Sequence, residues 1–224
     1  MPKRRGFFIT LEGPEGSGKS SQAKRLVQTL RRRGHQVVFV RDPGSTGLGR
    51  ALRRVLLHTA APMSPLQEAL LFIGGRVQLV EERIRPALAR AQVVVCDRFH
   101  DATVAYQGFG GKLEVPWLDR LGRSAIHGVM PSLTILLDLP APRGFARLDR
   151  VRDRMERKAM GFHRRVRQGY LRLAKREPRR FVVIDTRRSP DQVRKDVDRI
   201  VLQRLRHAEM SSSLVTRHSS LATR

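Results

Sequence analysis

The chain has 224 residues, 40% of them hydrophobic, and carries 45 Lys and Arg against 20 Asp and Glu, a formal net charge of +25. That supply of apolar residues suits one α/β domain, and no apolar run approaches the roughly 20 residues a membrane-crossing helix needs. A single cysteine, Cys96, excludes an intrachain disulfide framework, and its setting in Val93-Val94-Val95-Cys96 predicts an inert, buried thiol.

Phe7 to Glu12 is a short apolar run that ends at a glycine-rich turn, so it reads as a buried strand. The basic N-terminus before it leads only into Phe7 to Leu11, shorter than the roughly 7–15 apolar residues of a signal peptide, which predicts a cytoplasmic protein. Lys19 to Arg33 places Ala23, Leu26, Val27 and Leu30 at helical spacing, with Gly34 as a stop signal. Val37 to Val40 is a second strand, and Leu48 to Leu57 has a helical period after the Pro43-Gly44 turn. Pro65 to Ala89 reads as a longer helix, bent near Gly74-Gly75 and at Pro86. Gln92 to Asp97, Leu133 to Asp138 and Phe181 to Asp185 are three more strands, and Asp191 to Arg206 is a closing helix. Residues 207–224, rich in Ser and Thr without periodicity, are expected to form a disordered tail after a single domain spanning 1–206. Continuous apolar strands alternating with helices predict a five-stranded parallel sheet flanked by helices on both faces.

Gly13-Pro14-Glu15-Gly16-Ser17-Gly18-Lys19-Ser20, followed by Ser21, matches G-x4-G-K-[ST] between a strand and a helix. This is a P-loop, the phosphate cradle of the P-loop NTPase fold. Its glycines let backbone N–H groups converge on a triphosphate at the positive end of the following helix. Lys19 is placed to neutralise the β- and γ-phosphates of ATP, and the Ser20 hydroxyl to ligate Mg²⁺. Asp97 ends the third strand, at the carboxyl edge where open α/β sheets hold their ligands, and is the second candidate for Mg²⁺.

Further residues carry a resemblance. Lys19-Ser20-Ser21-Gln22, Arg41-Asp42-Pro43-Gly44-Ser45-Thr46, Asp97-Arg98-Phe99 and Ala105-Tyr106-Gln107-Gly108 together resemble the thymidylate kinases, in the same order and at similar spacing over Phe8 to Leu205. The resemblance implies transfer of the γ-phosphate of ATP to dTMP, with Mg²⁺, by a homodimer joined through the helices around Pro65 to Ala89. Holding a doubly charged acceptor in line calls for arginine forks, and Arg98 and Arg53 are the candidates; their family counterparts hold the acceptor phosphate. Phe72 reads as core from its own neighbours, whereas the resemblance implies that it stacks on thymine, with Arg76 reaching the base or its phosphate. Tyr106 and Gln107 resemble the pair that crowds out a ribose 2′-hydroxyl and hydrogen-bonds the base, with Thr103 one turn before them. Glu15 would repel ATP if it pointed inward. The resemblance implies that it binds the 3′-hydroxyl of the acceptor sugar. Asp42, Ser45, Ala102 and Ser132 depart from the usual family residues, and Ala102 bears on base selectivity.

Some thymidylate kinases carry an arginine in the P-loop and others supply it from a mobile lid; none lies between Pro14 and Ser17, so the resemblance implies a catalytic cation in a lid over roughly residues 143–160. That segment offers Arg147, Arg150, Arg152 and Arg154, and Arg154 and Arg147 are the expected choices. From Arg143 to Arg180 the chain has thirteen arginines and two lysines against four acids, a net of +11 in 38 residues. Two alternatives therefore stand beside the dTMP reading. One is a kinase for a different monophosphate. The other is a P-loop nucleic-acid-binding protein that uses this segment, although its few aromatics, Phe145, Phe162 and Tyr170, make nucleic acid the weaker expectation.

Overall fold

A computed structural model of the chain describes residues 6–149 and 151–219, with residues 211–219 described by backbone alone. Strands β1 (Phe7–Glu12), β2 (Val37–Arg41), β3 (Val93–Asp97), β4 (Leu133–Asp138) and β5 (Phe181–Asp185) form one sheet in the order β2-β3-β1-β4-β5. Every pairing is parallel, as their unbroken apolar runs require. Successive β1 residues face opposite sides of the sheet. Ile9 and Leu11 pack under helices α1 (Lys19–Arg32) and α9 (Pro190–Ser219), with Leu26, Leu30, Val197 and Val201. Phe8 packs on the other side with Val94, Cys96, Leu79 and Ile84.

Helices α2 (Gly47–His58), α3 (Pro65–Leu79), α4 (Arg85–Ala89), α5 (His100–Thr103), α6 (Val115–Ala125), α7 (Ala141–Phe145) and α8 (Met160–Arg176) complete the fold. Two expected boundaries are corrected. The expected long helix is interrupted not at Gly74-Gly75, through which α3 continues to Leu79, but at Val80–Ile84, where a wider π turn leads into α4. That turn lies just before Pro86, whose ring would crowd the carbonyl four residues earlier in a regular helix. The last helix does not stop at Arg206 but continues to Ser219, and no glycine or proline follows Pro190 to end it. Residues 220–224 of the expected tail lie outside the described residues.

All five strands end on a charged residue: Glu12, Arg41, Asp97, Asp138 and Asp185. The register sets Leu11 and Arg41 on either side of Asp97. Of these strand ends, Arg41 and Asp97 line the cleft described below, at the carboxyl edge of the sheet.

Candidate active site

The phosphate loop joins β1 to α1, and its glycines are required by space as well as by conformation. Gly16 has φ +67°, and a Cβ there would meet the Gly144 carbonyl oxygen of α7 at 2.1 Å. Gly18 has φ +87° and caps α1 without a side chain, which leaves the helix's first N–H groups open to an anion. Lys19 curls back under the loop and donates to the Pro14 carbonyl (2.7 Å) and the Ser17 hydroxyl (3.3 Å). Burial, followed by the repulsion of Arg98, pushes its pKa down to about 8.

Ser20 donates to Asp97 Oδ2 at 2.6 Å, and Arg41 Nε donates to the same oxygen at 3.0 Å. Among the described residues no three carboxylates, histidines or cysteines gather into a metal cluster. One hydroxyl beside one carboxylate is still a donor set that suits Mg²⁺, which takes few protein ligands and completes its shell with phosphate oxygens and water.

Opposite the loop stands Arg98, held in the left-handed region at φ +69°. Such a backbone persists in a non-glycine residue only where its surroundings fix it. Here Arg98 N–H donates to the Leu11 carbonyl, and the next amide, Phe99 N–H, donates to Glu12 Oε1 at 2.6 Å. Its guanidinium then donates to Gly13 O (3.2 Å), to both Glu15 oxygens (3.1 Å each), to Tyr106 Oη (3.0 Å) and to Tyr170 Oη (3.3 Å). The Tyr106 hydroxyl donates to Glu15 in turn. Burial opposes ionisation of Glu15, but Arg98, Lys19 and the Tyr106 hydroxyl outweigh it and bring its pKa to about 2. Glu12 behaves in the opposite way. Fully buried and near Asp101, its carboxyl is raised to about 8 although Arg98 and the Tyr170 hydroxyl (2.7 Å) oppose the rise.

Arg76 is 1% exposed and stacks over Phe99. It donates to Asp42 (2.5 Å) and Thr103 (2.8 Å), and its Nη1 has no partner among the described residues. Glu15, Lys19, Ser20, Ser21, Arg53, Phe72, Arg76, Asp97, Arg98, Thr103, Tyr106 and Gln107 all line one cleft of about 730 Å³, together with Gly16, Gly18 and Ala102. Arg53 donates to the Pro43 carbonyl at 3.3 Å. Gly13 and Ser17 support the loop from behind: a Cβ on Gly13 would meet the Leu137 carbonyl at 2.3 Å, and Ser17 is 2% exposed. Phe72 packs against the core and also lines the cleft.

The lid arginines separate. Arg147 donates to the Thr186 carbonyl (3.0 Å), and Arg154 to the Leu56 carbonyl (2.8 Å) and Glu68 (2.7 Å); neither lines the cleft. Arg152 does line it, with its guanidinium over the Phe145 ring. Arg150 lies outside the described residues. Sequence reasoning also missed Glu12, Glu68 and Tyr170. Glu12 had left a signal: an acid ending a run of buried strand residues at the ligand edge.

The cleft can hold a triphosphate on the Lys19 side and a second anion on the Arg98 side. The thymidylate kinase family model matches residues 11–197. A thymidylate kinase of Deinococcus radiodurans is 46% identical over 201 residues, covering 89% of this chain and 98% of that protein. One of Synechococcus sp. (strain JA-2-3B'a(2-13)) is 49% identical over 187 residues, covering 84% and 90%. The crystal structure of thymidylate kinase from Ehrlichia chaffeensis superposes with a TM-score of 0.74 at 32% identity, covering 88% of this chain and 99% of that one.

Proposed function

The chain belongs to the thymidylate kinase family, and we propose on that footing that it transfers the γ-phosphate of ATP to dTMP, giving ADP and dTDP. The observation that supports the assignment of roles is Glu15: a carboxylate inside a phosphate loop, ionised and locked to Arg98 and Tyr106, suits an acceptor hydroxyl better than a triphosphate. It accepts the 3′-hydroxyl of the acceptor sugar, and the Tyr106 ring beside it leaves no room for a 2′-hydroxyl. Arg98 and Arg53 grip the acceptor phosphate. Phe72 stacks on the base. Arg76 Nη1, a buried donor without a partner, reads a base carbonyl, and Thr103 fixes the rest of that guanidinium.

Lys19 neutralises the β- and γ-phosphates. Ser20 and Asp97 would hold Mg²⁺, which supplies charge neutralisation of the triphosphate. Residues 143–160 act as the lid, and Arg152, the lid arginine already in the cleft, takes the role that sequence assigned to Arg154 and Arg147. Positioning and charge neutralisation account for catalysis, without a covalent enzyme intermediate.

A homodimer is supported by exposed Leu48 and Val55 on α2 and Leu66 and Leu70 on α3, each 41–50% exposed on adjacent helices; sedimentation velocity tests it. Among the described residues no helix is long and apolar enough to cross a membrane, and a cytoplasmic location fits an enzyme that draws on ATP.

A coupled ADP-release assay with Mg²⁺-ATP and dTMP, dUMP, dCMP, dGMP, UMP and AMP tests the acceptor. The fastest turnover is expected with dTMP. Absence of turnover with dTMP, while another monophosphate is phosphorylated, overturns the reading.

A further inference from the structure

Glu68 lies in the first turn of α3, and its side chain is 1% exposed. Three donors from distant parts of the chain converge on it. Gln107 Nε2 reaches Oε2 at 3.0 Å, Arg154 Nη1 reaches Oε1 at 2.7 Å, and Lys158 Nζ reaches both oxygens at 2.7 and 2.9 Å. Gln107 belongs to the acceptor wall, whereas Arg154 and Lys158 belong to the lid. We propose that Glu68 is a positioning residue that passes recognition of the acceptor base to the lid, so that the lid locks only over a filled acceptor site.

The chemistry gives the connection a direction. Two cations and an amide on one carboxylate keep it ionised: burial pushes the Glu68 carboxyl up, and Lys158, Gln107 and Arg154 together bring it below its usual range. An ionised carboxylate only accepts, so the Gln107 amide must present its nitrogen to Glu68 and its oxygen elsewhere. That oxygen is buried without a partner among the described residues, and Gln107 lines the cleft. A base bearing a ring N–H, as thymine does, satisfies it. The amide is planar, so engaging the oxygen also fixes the direction of the nitrogen toward Glu68.

Glu68 then holds Arg154 and Lys158 at its other face. Arg154 also rests on the Leu56 carbonyl, and Lys158 lies over the Phe162 ring. Arg152 and Asp153 lie between α7 and this anchored pair, Met155 and Glu156 lie within it, and all four line the cleft. Opening the lid strips both cations from a buried carboxylate, which is costly. The lid therefore opens readily only when Glu68 loosens, and an engaged Gln107 opposes that.

The proposal rests on the dTMP reading, so the two are tested separately. The acceptor is first identified by turnover of the wild type, and the one that is phosphorylated is used throughout. Limited trypsin cleavage at the lid arginines is then timed with and without that acceptor, expected to be dTMP, at saturation and in the absence of ATP. In the wild type, dTMP is expected to slow cleavage by about tenfold or more. In Glu68→Gln, dTMP should still bind by calorimetry but slow cleavage by less than about twofold, with kcat reduced more than KM for dTMP. Lys158→Met keeps the carboxylate and the Gln107 bond, and is expected to give intermediate protection, about threefold. Wild-type protection in Glu68→Gln overturns the latch, whatever happens to its thermal midpoint. If that variant does not fold, undiminished protection in Lys158→Met overturns it instead.

Discussion

Raising the pH through 8 should disarm the phosphate loop. Lys19 has a pKa of about 8 against an ordinary 10.5, because it is buried and faces Arg98; Glu15, Asp97 and Glu12 recover only part of that loss. The difference corresponds to roughly 3 kcal/mol disfavouring the ammonium in the free enzyme. The charged form binds the triphosphate, so affinity is intact below this pKa and is lost above it. Hence kcat/KM for ATP, which reports the free enzyme, should be flat below pH 8 and then fall about tenfold per unit. Once ATP is bound its phosphates favour the ammonium, so kcat should stay flat to a higher pH. Glu12 titrates in the same range, at about 8, and must be separated. In Glu12→Gln the break should persist and move slightly downward, because an anion that raises Lys19 has gone. The assay is initial rate against ATP at saturating acceptor, from pH 6.5 to 9.5 in roughly half-unit steps. A flat profile, or a break that disappears in Glu12→Gln, refutes the assignment to Lys19.

Arg98→Lys removes a fork that reaches Gly13, Glu15, Tyr106 and Tyr170, and should lower kcat/KM for dTMP by about 10²–10³ in steady-state assays. Gly16→Ala places a Cβ 2.1 Å from the Gly144 carbonyl oxygen at φ +67°. It should cost roughly 1–3 kcal/mol by urea denaturation and weaken ATP binding measured by calorimetry. Arg152→Ala should reduce kcat by about 10²–10³ without moving the thermal midpoint. Arg147→Ala should cost less, because that side chain is engaged at the Thr186 carbonyl outside the cleft.

What could be read in the sequence was local, and what could not was decided by partners far along the chain. Gly13 to Ser20 is contiguous, so eight residues state their geometry together; Asp97 follows from a strand end and the rule for open sheets. The π turn at Val80–Ile84 was hidden because the signals, Gly74-Gly75 and Pro86, lie on either side of it. Gly75 serves packing instead, since a Cβ there would press on Leu52 of α2 at 3.1 Å. Among the lid arginines the sequence offers no distinction, because their neighbours are nearly alike. The fold separates them: Arg154 pairs with Glu68, 86 residues before it, and does not line the cleft, whereas Arg152 does.

The same separation explains the basic segment. Counted alone, Arg143 to Arg180 reads as an unanswered positive surface, yet several of its cations meet acids from elsewhere. Arg167 is paired with Asp138, Arg176 with Asp119, Arg180 with Asp101, and Arg154 and Lys158 with Glu68. A charge count over a window measures composition, whereas the field at a site depends on which acids the fold brings back to it. Here they are brought back along β4, α5, α6 and α3, and the pairs tie Arg154, Lys158, α8 and Arg180 to those elements.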